Sequence, residues 1–151
     1  MFLLAFPGNA QEKSKTASRA GVRYLNPSSL SRSPNYSQLV EVRNGRLAYI
    51  SGQVALDSLG NLVGKNDFRA QTEQVFKNLR SALEAVGTDF SDVVKINTYV
   101  VGTGQIAAFT EVRNAYFKEV PHRPASTWVQ VAGLFRPDVL IEIEAIVILP
   151  E

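Results

Sequence analysis

The segment from Arg123 to Glu144 constrains the fold of this chain most strongly, because it holds two strand patterns separated by a polar break. The first pattern covers residues 125–132 and the second covers residues 139–149. Between them, Gly133 to Asp138 form a connection long enough for a hairpin with an irregular loop. The segment therefore predicts that two β-strands close the chain.

The last predicted strand has large apolar residues on both of its faces. Alternate residues of a strand point to opposite sides of the sheet. One side is formed by Ile141, Ile143, Ala145, Val147 and Leu149. The other side is formed by Glu142, Glu144, Ile146 and Ile148. Because two helices of one chain cover only one face of a sheet, we expect the second face to pack against copies of the same chain.

A β-hairpin is predicted earlier in the chain. Asn44-Gly45 lies between the apolar residues of 39–42 and those of 47–50. This dipeptide is the one that best supplies the two positive φ angles of a tight hairpin turn. Asp57 to Gly60 provide the next turn.

Two segments show the 3.6-residue apolar period of a helix. The first begins at a capping Asp67 and stops at Gly87, and the second ends before Pro121. The apolar positions of the first are Val75, Phe76, Leu79, Ala82, Leu83 and Val86, and those of the second are Phe109, Val112, Ala115 and Tyr116. Between the helices, Val93 to Val101 are rich in β-branched residues and predict a strand. The order ββαβαββ predicts an α+β fold, in which one mixed sheet has two helices on a single face.

The length of 151 residues, with 45% hydrophobic residues, predicts a single domain. We assign this domain to residues 34–151 and a flexible tail to residues 1–33, which are rich in Ser, Lys, Arg and Asn. Phe2 to Phe6 form an apolar run that is shorter than the ~7–15 residues of a signal-peptide core. We therefore expect a cytoplasmic protein without a transmembrane segment. The alternative is an exported protein whose signal ends near Ala10.

The composition excludes several kinds of chemistry. With no cysteine and a single histidine, His122, the chain has no disulfide, no thiolate nucleophile and no histidine cluster for a metal. No glycine-rich phosphate loop is present, so we expect no cofactor. The formal charge of +2 is concentrated in the first 32 residues, and the remainder has 11 basic and 13 acidic residues. This distribution argues against a nucleic-acid partner.

Three motifs together resemble the RidA (YjgF, L-PSP) family. They are YSQ at Tyr36–Gln38, ISGQ at Ile50–Gln53 and the segment from Arg123 to Glu144 that ends in IEIE, followed by Ala145. The resemblance covers about residues 34–149. It implies a chorismate-mutase-like homotrimer whose sheets form a barrel, with three ligand clefts between adjacent subunits.

Glu142 is the principal candidate for chemistry. It shares a strand face with Ile146 and Ile148, where a carboxylate is costly unless it is exposed, paired or functional. Burial there would raise its pKa and make it a usable base near neutral pH. The structural alternative is an interface salt bridge. In RidA-like deaminases the matching glutamate is associated with the attacking water, whereas we expect Glu144 to be structural.

Ser126 and Thr127 stand where the family motif has Arg-Ser. The family arginine clamps the carboxylate of the substrate, and its loss would remove about 1.5–3 kcal/mol of charge-assisted hydrogen bonding. We therefore expect amino-acid-derived imines to be poor substrates unless another cation compensates. Arg113, near a position where the deaminases have a cleft-lining asparagine, and Arg123 are the two candidates. The structural alternative for Arg113 is a solvated helix face.

Three more residues match or border the family site. Tyr36 matches a tyrosine that closes the cleft, and Gly52 matches a glycine whose backbone approaches the ligand. Trp128 replaces a small residue and would line the pocket with an apolar ring. Tyr36 and Trp128 are equally consistent with core or interface aromatics.

The resemblance implies a hydrolytic enamine or imine deaminase of the 2-iminobutanoate/2-iminopropanoate type. The missing arginine at Ser126 favours a second class, a non-catalytic homotrimer that binds a small metabolite. An endoribonuclease, which the older family label suggests, is the third and weakest hypothesis.

Overall fold

Residues 21–150, the part of the chain that the computed structural model describes, form six strands and two α-helices. The elements are β1 (Val22–Leu25), β2 (Leu39–Val42), β3 (Leu47–Gln53), α1 (Phe68–Ala85), β4 (Val93–Val101), α2 (Ile106–Tyr116), β5 (Ala125–Val131) and β6 (Ile141–Ile148). A short 3₁₀ turn, Phe90–Asp92, precedes β4. The segment with the predicted cleavage point at Ala10 lies outside the described residues.

The main sheet has four strands in the order β3-β6-β4-β5. β4 and β5 are parallel, whereas β6 is antiparallel to both β3 and β4. This arrangement confirms the predicted α+β fold with a mixed sheet and two helices.

Both helices form where the sequence predicts them. The side chain of Asp67 accepts a hydrogen bond from the backbone of Ala70 and caps α1, and Gly87 adopts a left-handed φ of 71° just beyond its end. The helices bury their apolar stripes against one face of the main sheet. This core includes Val75, Phe76, Leu79, Leu83, Phe109 and Val112 from the helices and Ile96, Val100, Ile141, Ile143, Ala145 and Val147 from the sheet.

The predicted hairpin at Asn44-Gly45 is wrong. β2 pairs with β1 in a separate two-stranded sheet, and β3 pairs with β6 in the main sheet. Gly45 has a positive φ of 114°, but Asn44 does not, so the tight turn that needs two such residues is not formed. The residues of β1 belong to the predicted tail, residues 1–33. Val22 instead packs with Val94 and Ile148 in a small second cluster.

The hairpin suggested for the last two strands is also wrong, although both strands exist. β4 lies between β5 and β6. The crossover through α2 brings β5 parallel to β4 at the edge of the sheet, and β6 then enters between β3 and β4. The connection from Ala132 to Leu140 spans β4.

The face of the main sheet opposite the helices is open in the single chain. Side chains on this open face include Tyr49, Lys95, Asn97, Tyr99, Glu142, Glu144 and Ile146, as the strand register shows. Tyr49 is 75% exposed. Neither helix within residues 21–150 is long and apolar enough to cross a membrane.

Candidate functional site

Glu142 lies on the open face of β6, where its side chain passes over Gly52 of β3. A Cβ atom added to Gly52 would come within 2.7 Å of the Glu142 carboxyl carbon. The register between β3 and β6 shifts between Ile50 and Gln53, and this irregularity brings Gly52 beneath the acid. The missing side chain of Gly52 is therefore what leaves room for the carboxylate. We call Gly52 and Glu142 the acid half-site.

Glu144, two residues further along β6, is held in a hydrogen-bonded network. Its Oε1 accepts hydrogen bonds from Asn97 Nδ2 at 2.6 Å and from the Tyr99 hydroxyl at 3.2 Å. The hydrogen bond to Glu144, followed by burial, raises the pKa of Tyr99. The Glu144 carboxylate is therefore bound by two side chains of the neighbouring strand β4.

A hollow of about 200 Å³ lies beside this network on the open face. Lys95 borders it, and its ammonium donates a hydrogen bond to Thr127 Oγ1 at 2.5 Å. Burial lowers the pKa of Lys95, and the negative charge of Glu144 partly opposes that shift. The residues that line the hollow are Tyr49, Ile50, Ser51, Lys95, Asn97, Glu144, Ala145 and Ile146.

A second group of predicted residues gathers at the start of β5. Ser37 donates backbone and side-chain hydrogen bonds to the carbonyls of Pro124, at 3.1 Å, and Arg123, at 2.7 Å. It also forms a parallel bridge with Ala125. The segment that contains the half-buried Tyr36 thus runs directly beside the beginning of β5.

Arg113, on α2, is buried in this second group with only 4% of its surface exposed. Its Nη2 donates to the side-chain oxygens of Asn35 at 2.8 Å and Asn114 at 2.9 Å. Its Nε is buried without a hydrogen-bond partner. Burial, and then the nearby charge of Arg123, lower the pKa of Arg113. The alternative of a solvated helix face is therefore wrong.

Arg123 is bound in the same way to neutral acceptors. Its Nη1 donates to the carbonyls of Phe117 at 2.9 Å and Val120 at 2.8 Å, and its Nε has no partner. Among the ion pairs within residues 21–150, none includes Arg113 or Arg123. Two neighbouring cations thus lack a carboxylate in this part of the chain.

Residues 126–128 of β5 point alternately to the two faces of the sheet. Ser126 and Trp128 pair with Ile96 and Thr98, which are buried on the helix side. Thr127 lies on the open face, beside Lys95. The ring centroid of Trp128 lies 4.7 Å from that of Phe109, and Trp128 packs against the core. This position agrees with the alternative interpretation of Trp128 as a core aromatic residue.

Apart from Thr127 and Trp128, the predicted site residues therefore separate into two groups within one chain. We call Tyr36, Arg113, Arg123 and Ser126, together with Asn35, the cationic half-site. The acid half-site lies on the open face of β6, whereas Ser126 faces the helices from β5, and β4 separates the two strands. The distance across two strand spacings alone is about 10 Å. One chain does not bring the acid and the arginines together.

Two residues of the candidate site, Asn35 and Tyr99, were not predicted from the sequence. Asn35 binds Arg113, and its position directly before Tyr36 in the YSQ region was the signal that could have indicated it. Tyr99 lies opposite Glu142 on β4 and binds Glu144. That neighbour depends on strand register, which no local motif encodes. Within residues 21–150, no cluster of three or more His, Cys, Asp or Glu side chains could hold a metal ion.

The mixed sheet with two helices on one face places the chain in a class of small α+β proteins. The family described as Endoribonuclease L-PSP matches residues 27–149. The chain belongs to this family, which is also called the RidA or YjgF family.

Individual relatives agree with this assignment. Protein DfrA of Myxococcus xanthus is 39% identical over 113 residues, which cover 75% of this chain and 84% of that protein. The 2-iminobutanoate/2-iminopropanoate deaminase of Dermatophagoides farinae is 34% identical over 114 residues, or 76% of this chain and 85% of that protein. Among solved structures, the Rid-family protein YyfB from Yersinia pestis has a TM-score of 0.79 and 37% identity, covering 85% of this chain and 99% of that one.

Proposed function

We propose that the protein is a homotrimer that hydrolyses a small enamine or imine in clefts between its subunits. The single observation that carries this proposal is the Glu142 carboxylate seated over Gly52 on the open sheet face. A relative that is 34% identical is named a 2-iminobutanoate/2-iminopropanoate deaminase, which supports the same reaction class.

Glu142 has the chemistry that this reaction needs. An ionised carboxylate accepts a proton from water as the water oxygen adds to the imine carbon. Glu142 passes this proton to the imine nitrogen, which gives a neutral carbinolamine. Glu142 then takes the proton of the carbinolamine hydroxyl group and delivers it to the nitrogen as the carbon–nitrogen bond breaks, so that ammonia leaves and a carbonyl group remains. No proton or electron is left over, and no cofactor is required.

The separation of the two half-sites supports a site shared between subunits. A substrate that spans both half-sites needs Glu142 from one chain and the arginines from another. The open sheet face presents Tyr49, which is 75% exposed, next to Ile146, and such a face favours packing against another copy. The trimer thus supplies both burial for the open face and a second half-site for each acid.

The test is a rate measurement with the imine of 2-oxobutanoate generated in situ. Semicarbazide captures the imine that remains, so hydrolysis by the protein lowers the yield of semicarbazone. We expect the wild-type protein to compete with semicarbazide and Glu142→Gln to lose at least about 100-fold in rate. Glu84→Gln, at an exposed site on α1, is the matched control and should retain activity. A wild-type rate equal to that of buffer would contradict the proposal.

A non-catalytic, metabolite-binding trimer is the second candidate, and Ser126 is the observation that favours it. We propose that Ser126 occupies the position of the family arginine, so the substrate clamp of the deaminases is missing there. Thermal shifts by small carbonyl compounds, without turnover of any imine tested, would support this second function. Turnover would exclude it.

A further inference from the structure

We infer that Arg113 and Arg123 form an anion clamp that binds the carboxylate of the reactant. This inference deepens the proposed function and rests on it, because it assigns the substrate to the anionic, amino-acid-derived imines. It is opposite to the expectation drawn from Ser126 alone. The chain would thus retain a carboxylate-binding site, but its arginines would come from α2 and from the segment before β5.

The first support is an uncompensated buried charge. Arginine stays protonated in proteins, and a buried cation without a counter-charge is costly. Arg113 is 4% exposed, yet both acceptors of its Nη2 are neutral amides, and its Nε is unpaired. Arg123 adds a second cation with another unpaired Nε. Structural arginines are normally paired with acids, whereas an anion-binding site is left incomplete until its ligand arrives.

The second support is position. α2 connects two parallel strands, so it runs antiparallel to β5. Phe109 and Trp128 are in contact, with ring centroids 4.7 Å apart. Arg113 lies about one helical turn, or ~6 Å, beyond Phe109, and Ser126 lies two residues, or ~6.6 Å, before Trp128. Both displacements have the same direction, so Arg113 lies level with Ser126.

This alignment explains how a small residue at 126 and an arginine at 113 belong together. Ser126 faces the helix side of β5. The guanidinium of Arg113 lies 5.6 Å from the ring centroid of Phe109, which itself contacts Trp128 of β5. A guanidinium from the helix reaches the region that a long side chain from the strand would otherwise occupy. The serine leaves the space, and Arg113 supplies the charge.

Asn35 marks where the anion enters. It is half-buried in the segment before β2, and its side-chain oxygen accepts a hydrogen bond from Arg113 Nη2 as a neutral acceptor. A carboxylate that displaces this amide gains a charge-assisted, two-point contact with the guanidinium. Binding therefore exchanges a neutral hydrogen bond for a stronger ionic one.

Binding is tested with 2-oxobutanoate, the product that hydrolysis of 2-iminobutanoate would release. Titration calorimetry compares it with 2-oxobutanamide, which has a similar shape but no charge. We expect the anion to bind the wild-type protein and the amide to bind at least about 10-fold more weakly. Equal affinities for the two probes, or no binding of the anion at ~10 mM, would overturn the clamp.

Variants then locate the cation. Arg113→Met should weaken binding of 2-oxobutanoate by about 10- to 100-fold, and Arg113→Lys should restore part of the affinity. Arg43→Met is the matched control, because Arg43 is exposed and pairs with Glu41 at 3.1 Å. Unchanged binding in Arg113→Met, with a normal melting temperature, would overturn the inference.

Asn35→Asp gives a second test that is independent of any loss of folding. The new carboxylate would neutralise Arg113 from within the chain, so the melting temperature should rise by on the order of 3 °C. It would also occupy the clamp, so affinity for 2-oxobutanoate should fall about 10-fold or more. If neither quantity changes, the guanidinium does not act as an anion receptor.

These outcomes are separable from those of the proposed reaction. Calorimetry reports anion binding without turnover. If binding depends on Arg113 while Glu142→Gln changes no rate, the clamp stands and hydrolysis by Glu142 fails. If Glu142→Gln abolishes turnover while Arg113→Met leaves anion binding unchanged, hydrolysis by Glu142 stands and the clamp fails.

Discussion

A single missing side chain, that of Gly52, sets the position of the proposed catalytic acid. Glu142 occupies the volume that any other residue at position 52 would fill with its Cβ atom. Since Glu142 ends in a flexible carboxylate, an added methyl group would displace the acid more readily than the backbone. Substitution of Gly52 should therefore lower activity much more than it lowers stability.

Gly52→Ala tests this directly. We expect kcat/KM for imine hydrolysis to fall by about 100-fold, because a displacement of roughly 1 Å of a positioned group costs that much. The melting temperature should change little. Gly133→Ala is the matched control, since an added Cβ there meets no atom within 4 Å, and it should behave as wild type. Full activity in Gly52→Ala would show that the acid need not lie over residue 52.

At the scale of the elements, one buried amide connects α1 to the two loops beside it. Gln71 is fully buried, and its Nε2 donates to the carbonyls of Gly64 at 3.2 Å and Asp138 at 2.8 Å. Its Oε1 accepts from the backbone of Leu140 at 2.8 Å. The side chain thus satisfies three backbone groups and fixes the entry to β6, the strand that carries Glu142.

Gln71→Met should destabilise the protein by about 3 kcal/mol, because it leaves buried backbone groups without partners while nearly preserving volume. The measurement is the urea midpoint at a fixed protein concentration, since assembly contributes to stability. Gln74→Met, on the same helix, is the control. Its amide is only half-buried and donates to Asn78, so the change should cost less than about 1 kcal/mol. Equal midpoints for the two variants would contradict the bridging role.

Elements that depend on local signals were predicted correctly from the sequence, whereas the pairing of strands was not. The Asp67 cap, the apolar period of α1 and Gly87 act within a few residues, so α1 was predicted correctly. Asn44-Gly45 indicated a hairpin just as clearly, but β2 found its partner in β1. Pairing is decided by the whole sheet, where burial outweighs the preference of one turn.

In the candidate site, too, residues marked by local motifs were predicted, whereas contacts between distant segments were not. Glu142 and Gly52 were indicated by short motifs, and the structure brings them together. The burial of Arg113 could not be predicted from its position on an amphipathic helix, since its partner Asn35 lies 78 residues earlier in the chain. Ser126 and Thr127 point to opposite faces in any strand, but which of them faces the helices is known only from the register with β4.

At the scale of the whole molecule, the open sheet face predicts assembly. We expect a mass three times that of the 16.6 kDa chain in light scattering. Tyr49→Asp should produce monomers, because it places a charge in the surface that would be desolvated between copies. Leu59→Asp is the control, since Leu59 is 85% exposed on the turn after Asp57, and it should remain trimeric. A monomeric wild-type protein would contradict the shared site.

The central claim is that each site takes its acid from one chain and its arginine from another. The most direct measurement mixes Glu142→Gln with Arg113→Met in equal amounts, unfolds and refolds them together, and assays imine hydrolysis. Random trimers restore about one site in four, so about a quarter of wild-type activity should return although each variant alone is strongly impaired. Activity no higher than that of the separate variants would show that the two residues do not act in one site across subunits.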